Sequence, residues 1–222
     1  MKLIIEASPI EQDNPSGVNY FTEWLAKALE AKTDQNFMVE YLYLNFLLRK
    51  PLRNPLSLRA RKEDRFQQIC FLPQRVYAKL VYAHIAPPLP VRESDWVLFP
   101  NFYTWPTLRR TKKAVIIHDI AYMVYPEYVE DKNRKFLTRV ANRSIRSADL
   151  IVSNSEFTTH EIVSRMNVPE TRIVTLNIPV DEAQFDKSHD KGRDYLAHRY
   201  GITKSYIMSL GTLEPRKNLE TI

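Results

Sequence analysis

Two glycine-containing turns in this sequence have the residue types of an anion-binding site. Gly17 stands at the expected start of a helix, where the free N–H groups of the first turn attract negative charge. Near the end of the sequence, Gly211 allows a turn to approach a ligand closely, and Arg216 and Lys217 follow it. Two adjacent cations at a helix start suit a diphosphate. The simpler alternatives are an ordinary turn glycine and a solvated basic turn.

His118 is the residue best placed for proton transfer or for hydrogen bonding to a ligand hydroxyl. It follows the apolar segment Val115–Ile117, and the carboxyl end of a parallel strand faces the ligand cleft in open α/β sheets. An imidazole there can act as an acid or a base, or can orient a hydroxyl group. The alternative is a structural histidine that is bonded to Asp119 and buried at a domain edge. The other histidines are expected at the surface: His84, His160, His189 and His198.

A parallel sheet is needed to position these residues, and the apolar pattern predicts one. Seven short, mostly apolar segments are typical of strands buried on both faces: Leu3–Ala7, Phe37–Leu44, Trp96–Phe99, Val115–Ile117, Leu150–Val152, Ile173–Leu176 and Tyr206–Leu210. Helical patterns alternate with these segments. This order predicts a doubly wound α/β sheet.

Four helices are predicted between the strands. The first buries a face that includes Phe21, Leu25 and Ala28, and the third buries a face that includes Phe136 and Val140. The helices follow Ser16 to about Leu29, cover about 63–85 and about 131–147, and follow Ser155 to before Pro169; within the second, Pro73 is expected to start a new segment. The polar residues at 153–155 are expected first of all to cap the fourth helix. Residues 50–60 are predicted to form a loop, and residues 181–194 a polar linker.

The glycine and cysteine contents exclude several kinds of site. The chain has 222 residues and only four glycines, which are too far apart for G-x-G-x-x-G, Walker A or G-x-S-x-G motifs. P-loop nucleoside triphosphatases, the usual dinucleotide fingerprint and a serine nucleophile elbow are therefore excluded. The single cysteine, Cys70, excludes an intrachain disulfide and a multi-cysteine zinc site, and it fits a reducing compartment.

The positive charge of the chain is expected to be local. The formal net charge is +6, and residues 49–65 hold seven basic and two acidic side chains. Aromatic residues are not interleaved in this segment, which argues against nucleic acid as a partner. Leu52, Leu56 and Leu58 are spaced among the cations, so the segment is predicted to meet an anionic membrane surface; the alternative is a solvated loop. With neither a signal peptide nor a membrane span apparent, a cytoplasmic protein, soluble or peripheral at the inner membrane face, is expected.

Five segments in this order resemble one family, the group-1 (family 4) retaining glycosyltransferases of the GT-B fold. They are PSGVNYFTEWLAKAL (15–29), VIIHDIAYMVYPEY (115–128), RSADLIVSNSEFTTHEI (146–162), RIVTLNIPVD (172–181) and YIMSLGTLEPRKNL (206–219). The resemblance excludes residues 45–95, which correspond to the variable acceptor-facing region. It implies a Rossmann-like acceptor-binding domain over residues 1–180, followed by a linker and the first strand and loop of a donor-binding domain over 181–222.

The resemblance also implies the chemistry and the roles of the candidate residues. The family transfers a sugar from a nucleotide-sugar to a glycan or lipid-linked acceptor, as in polysaccharide biosynthesis, with retention of configuration and without a metal or other cofactor. Gly17 would place its backbone N–H at the donor phosphate. His118 would contact the donor sugar near the reacting carbon, as the catalytic residue. Lys217 with Arg216, on the turn that begins at Gly211, would hold the diphosphate leaving group.

The sequence departs from the family pattern at two places. Thr212 follows Gly211 where the family often has arginine, which leaves the role of Arg216 open. The E-x₇-E segment and nearly all of the donor domain do not occur, so the chain is expected to be a fragment that is inactive alone. The alternative is a non-catalytic Rossmann-like module that binds a phosphorylated ligand or a partner protein. The reading frame beyond Ile222 would distinguish the two.

Overall fold

A computed structural model of the chain describes residues 1–44, 51–69, 72–83, 85–108, 111–179, 189–211 and 217–221. The chain divides into two compact units, residues 1–179 and 180–222. The assignment of these parts to acceptor and donor domains stays a prediction. Among the described residues, no helix is both long enough and apolar enough to cross a bilayer.

The first unit is built on one sheet of seven parallel strands, in the order β3-β2-β1-β4-β5-β6-β7. The order reverses direction beside β1, as in a doubly wound fold, so the predicted α/β class is confirmed. The strands are β1 Lys2–Glu6, β2 Met38–Leu44, β3 Phe66–Ile69, β4 Trp96–Phe99, β5 Lys112–Ile117, β6 Leu150–Ser153 and β7 Ile173–Thr175.

Helices cover both faces of the sheet in the first unit, and one more lies in the second. They are α1 Gly17–Glu30, α2 Pro55–Lys62, α3 Gln74–Tyr82, α4 Ala121–Val124, α5 Asp131–Ser147, α6 Glu156–Met166 and α7 His189–Tyr200. Short 3₁₀ turns occur at Ser8–Glu11, Pro126–Tyr128, Glu170–Arg172 and Leu219–Thr221.

The core lies on both faces of the sheet, because the central strands are apolar at consecutive positions. Ile4 faces the layer formed with α3, α5 and α6, whereas Ile5 faces the layer formed with α1 and α2. Ile116 and Ile117 in β5 divide between the two layers in the same way and are fully buried. Each such side chain contributes roughly 1.5–3 kcal/mol by leaving water. This burial holds the carboxyl ends of the strands in a fixed row.

Two predictions for residues 50–85 are wrong. Residues 66–69 form a strand rather than part of a helix, because β3 pairs with β2 in the register Tyr41↔Phe66, and the Phe66 ring stacks on Tyr43 at 4.6 Å. The helical part of this stretch is α3, which begins after Pro73, where a new segment was predicted. The predicted loop at 50–60 instead contains α2. Asn54 caps this helix by accepting a hydrogen bond from the Leu56 N–H at 2.9 Å, and Pro55 occupies its first turn.

Two predictions for the second unit also need correction. Tyr206–Leu210 does not form a strand, and all five residues are exposed. Within the described part of this unit no neighbouring strand is available to pair with it, and an isolated strand is not stable. Of the predicted linker 181–194, residues 181–188 lie outside the described residues, and α7 begins at His189.

The buried faces of two helices differ from the predicted ones. In α1, Ala28 is exposed, whereas Asn19 and Ala26 are buried. Asn19 can be buried because its amide is hydrogen-bonded to backbone groups on both sides. In α5, Val140 is buried as predicted, but Phe136 is 40% exposed.

Candidate functional site

The polar residues predicted to form a site in the first unit lie at the carboxyl edge of the sheet. Ile117 ends β5 and pairs with Ser153, the last residue of β6. His118 follows directly, so it stands beside the end of β6 and near the start of α1, where its ring contacts Phe21. The structure therefore brings His118 and the amino-terminal turn of α1 to the same edge.

Gly17 opens α1 and lies exposed in open space. Ser16 caps the helix, and Asn19 completes a reciprocal capping box by accepting from the Ser16 N–H at 2.6 Å. A side-chain carbon at Gly17 would meet no atom within 4 Å. Packing within the described chain therefore does not require glycine here. Gly17 therefore lies exposed at the start of the helix.

The His118 imidazole is held by one hydrogen bond and two aromatic rings. Its Nε2 lies 2.8 Å from the Pro100 carbonyl oxygen. Since a carbonyl only accepts, Nε2 carries the proton, and Nδ1 of the neutral ring is an acceptor. Phe21 packs edge-on at 5.0 Å, and Phe102 lies 5.6 Å away between ring centroids. Burial lowers the pKa of His118, so the ring is neutral at pH 7.

Asp119 does not bond the His118 ring, contrary to the alternative interpretation of the sequence. Its Oδ1 accepts a hydrogen bond from the Ala121 N–H at 3.0 Å and so begins α4. The partner of His118 is instead the loop after β4, which sequence analysis had not singled out. The ring is half-buried rather than enclosed. His118 therefore stays partly accessible to solvent at the edge of the sheet.

Phe102 holds its ring against His118 from a left-handed backbone conformation, with φ of 54°. Such a conformation costs a bulky residue on the order of 1–3 kcal/mol unless its surroundings impose it. Here the Phe102 N–H donates to the Ile116 carbonyl oxygen at 3.0 Å, which fixes the loop onto β5. No local motif in the sequence indicates this contact.

Glu6 is a second residue at this edge that sequence analysis missed. It ends β1 with only 1% of its surface exposed, and burial raises the pKa of its carboxyl to about 7. Its Oε1 accepts from the Ser8 N–H at 3.0 Å, and the Ser8 hydroxyl accepts from the Leu44 N–H at 2.9 Å. The carboxyl therefore joins the ends of β1 and β2. The sequence signal that could have identified Glu6 is a charged residue at the end of a buried strand.

The polar residues at the end of β6 and after it have mainly structural roles, as the sequence predicted. Ser155 caps α6, and its hydroxyl accepts from the Thr158 N–H at 3.1 Å. The Ser153 hydroxyl lies 2.5 Å from the Thr159 hydroxyl, which in turn lies 2.8 Å from that of Thr175. This chain of hydroxyl groups ties β6 and β7 to α6.

The second unit places Gly211 and Lys217 side by side. Gly211 has φ of +155°, which L residues rarely adopt, and the Lys217 ammonium lies where a Cβ would project. Only glycine allows the ammonium to approach the backbone this closely. Arg216 lies outside the described residues. The structure thus joins Gly211 to Lys217 and, separately, His118 to the start of α1.

Three of the five described basic side chains in segment 49–65 pair with neighbouring carboxylates. Arg53 pairs with Asp13 at 3.1 Å, and Arg59 and Arg65 both pair with Glu30. Of the three leucines predicted to face a membrane, Leu56 is buried, Leu52 is half-buried, and only Leu58 is exposed. Arg49 and Lys50 lie outside the described residues. The described part of this segment therefore presents less free charge and less apolar surface than the sequence predicts.

A surface depression of about 490 Å³ lies away from these residues, at the carboxyl-terminal ends of α1 and α2. Its lining includes Glu30, Arg65 and Glu63, whose charges are paired with one another. This end of the helices faces the amino edge of the sheet. Within the described residues, no group of three or more histidine, cysteine or carboxylate side chains is arranged to hold a metal ion.

Comparison with curated proteins relates part of this chain to mannosyltransferases. No family model matches it. It is 31% identical over 120 residues to the O-antigen chain mannosyltransferase B of Escherichia coli, a match that covers 54% of this chain and 31% of that protein. It is 26% identical over 116 residues to the serotype-specific mannosyltransferase WbdA of Escherichia coli, covering 50% of this chain and 14% of WbdA. The match thus spans less than a third of either relative.

Comparison with solved structures relates the fold to HepE from Anabaena. HepE in complex with UDP and glucose superposes with a TM-score of 0.51 at 15% identity, over 91% of this chain and 51% of HepE. HepE in complex with UDP-glucose gives a TM-score of 0.50 at 16% identity, over 91% of this chain and 50% of HepE. At this identity the likeness concerns the fold.

Proposed function

We propose that this chain is part of a retaining glycosyltransferase of family 4 with the GT-B fold. Residues 1–180 would form the acceptor-binding domain, and residues 181–222 would begin the donor-binding domain. The 120-residue match to a mannosyltransferase is the observation that carries the proposal. The doubly wound sheet, with open polar groups at its carboxyl edge, supports it because ligands of such sheets bind there.

The proposed donor is a nucleotide-sugar. Two of the solved neighbours hold UDP with glucose and UDP-glucose, and the curated relatives are named as mannosyltransferases. The proposed acceptor is a glycan or a lipid-linked glycan, used at the cytoplasmic face of a membrane. The reaction would need no metal or other cofactor, because the backbone and basic side chains would carry the leaving diphosphate.

Gly17, Lys217 and Arg216 would stabilise the departing diphosphate. As the bond from the anomeric carbon to the phosphate oxygen breaks, negative charge grows on the diphosphate. Backbone N–H groups and cations that are already in place stabilise this charge without reorganising. The exposed Gly17 at the start of α1 and the Lys217 ammonium against the Gly211 backbone are suited to this role.

His118 would accept a hydrogen bond from a hydroxyl of the donor sugar. Its Nε2–H donates a hydrogen bond to the Pro100 carbonyl oxygen, so Nδ1 is the ring nitrogen left for the ligand. The lowered pKa keeps this nitrogen unprotonated at pH 7. In this role His118 orients the sugar near the reacting carbon rather than delivering a proton.

The test is sugar transfer by the intact gene product. Labelled UDP-glucose and a nucleoside-diphosphate mannose would each be offered with a glycan acceptor, and the anomeric configuration of the product would be read by NMR. We expect transfer with retention from at least one donor. Tight binding of a phosphorylated ligand without transfer from any donor would favour the non-catalytic module instead. The 222-residue chain alone is expected to fold but not to transfer sugar.

A further inference from the structure

Helix α5 carries an excess of positive charge in addition to that of segment 49–65. Its 17 residues include six basic side chains and one carboxylate, Asp131. Asp131 pairs with Arg134 at 2.6 Å, and the Arg143 guanidinium donates to the Val81 carbonyl oxygen. Four cations remain after these contacts: Lys132, Lys135, Arg139 and Arg146.

These four side chains, here called the α5 stripe, share one face of the helix. At 3.6 residues per turn they fall within an arc of about 60°, and at 1.5 Å per residue they extend over about 21 Å. All four are exposed, while Val140 and Ile145 on the other side of the helix are buried in the core. The result is a straight row of cations along the outside of the first unit.

Neighbouring groups do not neutralise the α5 stripe. Within the described part of the chain, none of its four side chains forms a hydrogen bond or an ion pair, although Lys135 is close enough to help lower the pKa of Asp131. In segment 49–65, by contrast, Arg53, Arg59 and Arg65 are all paired. Glu127 and Glu130 precede α5, and within the described part of the chain no ion pair joins either of them to the stripe.

Capping of α5 does not account for these cations. Its terminal carbonyl oxygens, at Ile145 and Ala148, accept hydrogen bonds from the Arg172 guanidinium at 2.8 and 2.5 Å. Of the α5 stripe only Arg146 lies in the last turn, where the helix dipole favours a positive charge. Lys132 and Lys135 lie in the first two turns, where the dipole opposes them. A partner of negative charge is therefore the better explanation.

We propose that the α5 stripe docks this protein on an anionic lipid surface. A flat, anionic surface complements a straight row of cations, and binding to such a surface needs no concave site on the protein. Phe136 lies beside Lys132 and Arg139 on the helix and is 40% exposed, so an apolar side chain accompanies the charges. Cations flanking an apolar side chain are typical of helices that lie in the plane of a membrane interface. The inference goes beyond the proposed function, since docking can fail while sugar transfer persists.

The test compares two variants of the chain with equal loss of charge. The stripe variant carries Lys132→Gln, Lys135→Gln, Arg139→Gln and Arg146→Gln. The control variant carries Lys32→Gln, Arg53→Gln, Arg61→Gln and Lys62→Gln, which are also exposed positions. Binding to vesicles with and without anionic phospholipid is measured by flotation, in about 50 mM and about 500 mM salt. Circular dichroism checks that both variants fold.

We expect the unmodified chain to bind only the anionic vesicles, and less at high salt. Replacing the four cations of the stripe should lower the partition coefficient of the chain onto anionic vesicles on the order of 100-fold. In the control variant the same coefficient should fall by less than about tenfold. Phe136→Gln should weaken vesicle binding but leave binding to heparin unchanged. Equal losses in the two variants, no binding to anionic vesicles, or stripe-dependent binding to heparin alone would each overturn the proposal.

Discussion

The amino and carboxyl edges of the same sheet use polar residues in different ways. At the amino edge, carboxylates close the strands: Asp95 accepts from the Lys2 N–H at 2.6 Å, and Asp149 accepts from the Lys113 N–H at 2.8 Å. At the carboxyl edge, His118 has one ring nitrogen without a hydrogen bond in the described chain, and the backbone at Gly17 is exposed. These two carboxylates at the amino edge are satisfied by the protein itself, whereas His118 and Gly17 at the carboxyl edge are available to a ligand.

The comparison shows why the charge of a residue is a poor guide to its role. The depression at the carboxyl-terminal end of α1 is lined by charged side chains, yet Glu30 and Arg65 pair with each other at 2.8 Å. The carboxyl edge has fewer charges, but its groups sit at strand ends and a helix start, where backbone geometry leaves them open. Substitutions at the two edges should therefore separate activity from stability.

The largest effect is expected for His118→Ala at the carboxyl edge. In the intact gene product it should lower turnover by about 100-fold, the scale of one positioned polar group. The loss of stability should be smaller than the loss of turnover, because the ring is only half-buried between Phe21 and Phe102. His160→Ala, at an exposed position in the same unit, is the matched control and should have no effect. Normal turnover with a large loss of stability would make His118 structural.

The next effect is a pH dependence of stability that arises from Glu6. Its pKa is about 7 in the folded chain and near 4.5 when unfolded, so between these values the folded state binds the additional proton. Stability from this group is therefore present below about pH 4.5 and is lost as pH rises through 7. Between pH 5 and pH 8 the free energy of unfolding should fall by roughly 2 kcal/mol from this source.

Chemical denaturation at both pH values measures this dependence. Glu6→Gln, which stays neutral, should reduce the difference between pH 5 and pH 8. His118 contributes in the opposite direction, because its lowered pKa costs stability as pH falls below 6.5. His118→Ala should therefore steepen the net decline from pH 5 to pH 8. An unchanged pH dependence in Glu6→Gln would show that another group is responsible.

A smaller effect is expected at the amino edge from Asp149→Ala. It leaves the Lys113 N–H without its 2.8 Å acceptor and should lower the free energy of unfolding by about 1 kcal/mol, with sugar transfer unchanged. Asp149→Asn keeps an acceptor and should lose less. A selective loss of transfer at full stability would contradict the division between the two edges.

The smallest effect is expected for Arg53→Gln. Its ion pair with Asp13 is 3.1 Å long, but both side chains are more than half exposed. Exposed pairs contribute little after screening by solvent and salt, so the free energy of unfolding should change by less than about 0.5 kcal/mol. The same denaturation assay checks this value. A change above 1 kcal/mol would indicate that the loop after β1 depends on this pair.

Features that depend on residues close together in the chain were predictable. Trp96–Phe99 forms β4 with the predicted bounds, and Ser16 and Ser155 cap the helices they precede. A short apolar run and an N-cap act over a few residues, so the sequence alone contains both the cause and the effect. The position of His118 after a buried strand followed from the same local pattern.

Features that depend on distant partners were not predictable. Phe66–Ile69, with two glutamines at its centre, is a strand because β2 lies beside it, whereas the more apolar Tyr206–Leu210 has no strand to pair with in the described part of its unit. The tautomer of His118 depends on Pro100, and the raised pKa of Glu6 depends on its burial in the folded chain.

By itself, then, the amino-acid sequence determined which segments become the central strands and which residues stand at their carboxyl ends. The tertiary structure decided which of those residues are satisfied and which remain open. It also decided that Arg53, Arg59 and Arg65 of segment 49–65 are paired, whereas the four cations of the α5 stripe form no ion pair in the described chain. The reason is physical: strand and helix formation follow local periodicity, but hydrogen bonding, ion pairing and pKa depend on groups that only folding brings within a few ångströms.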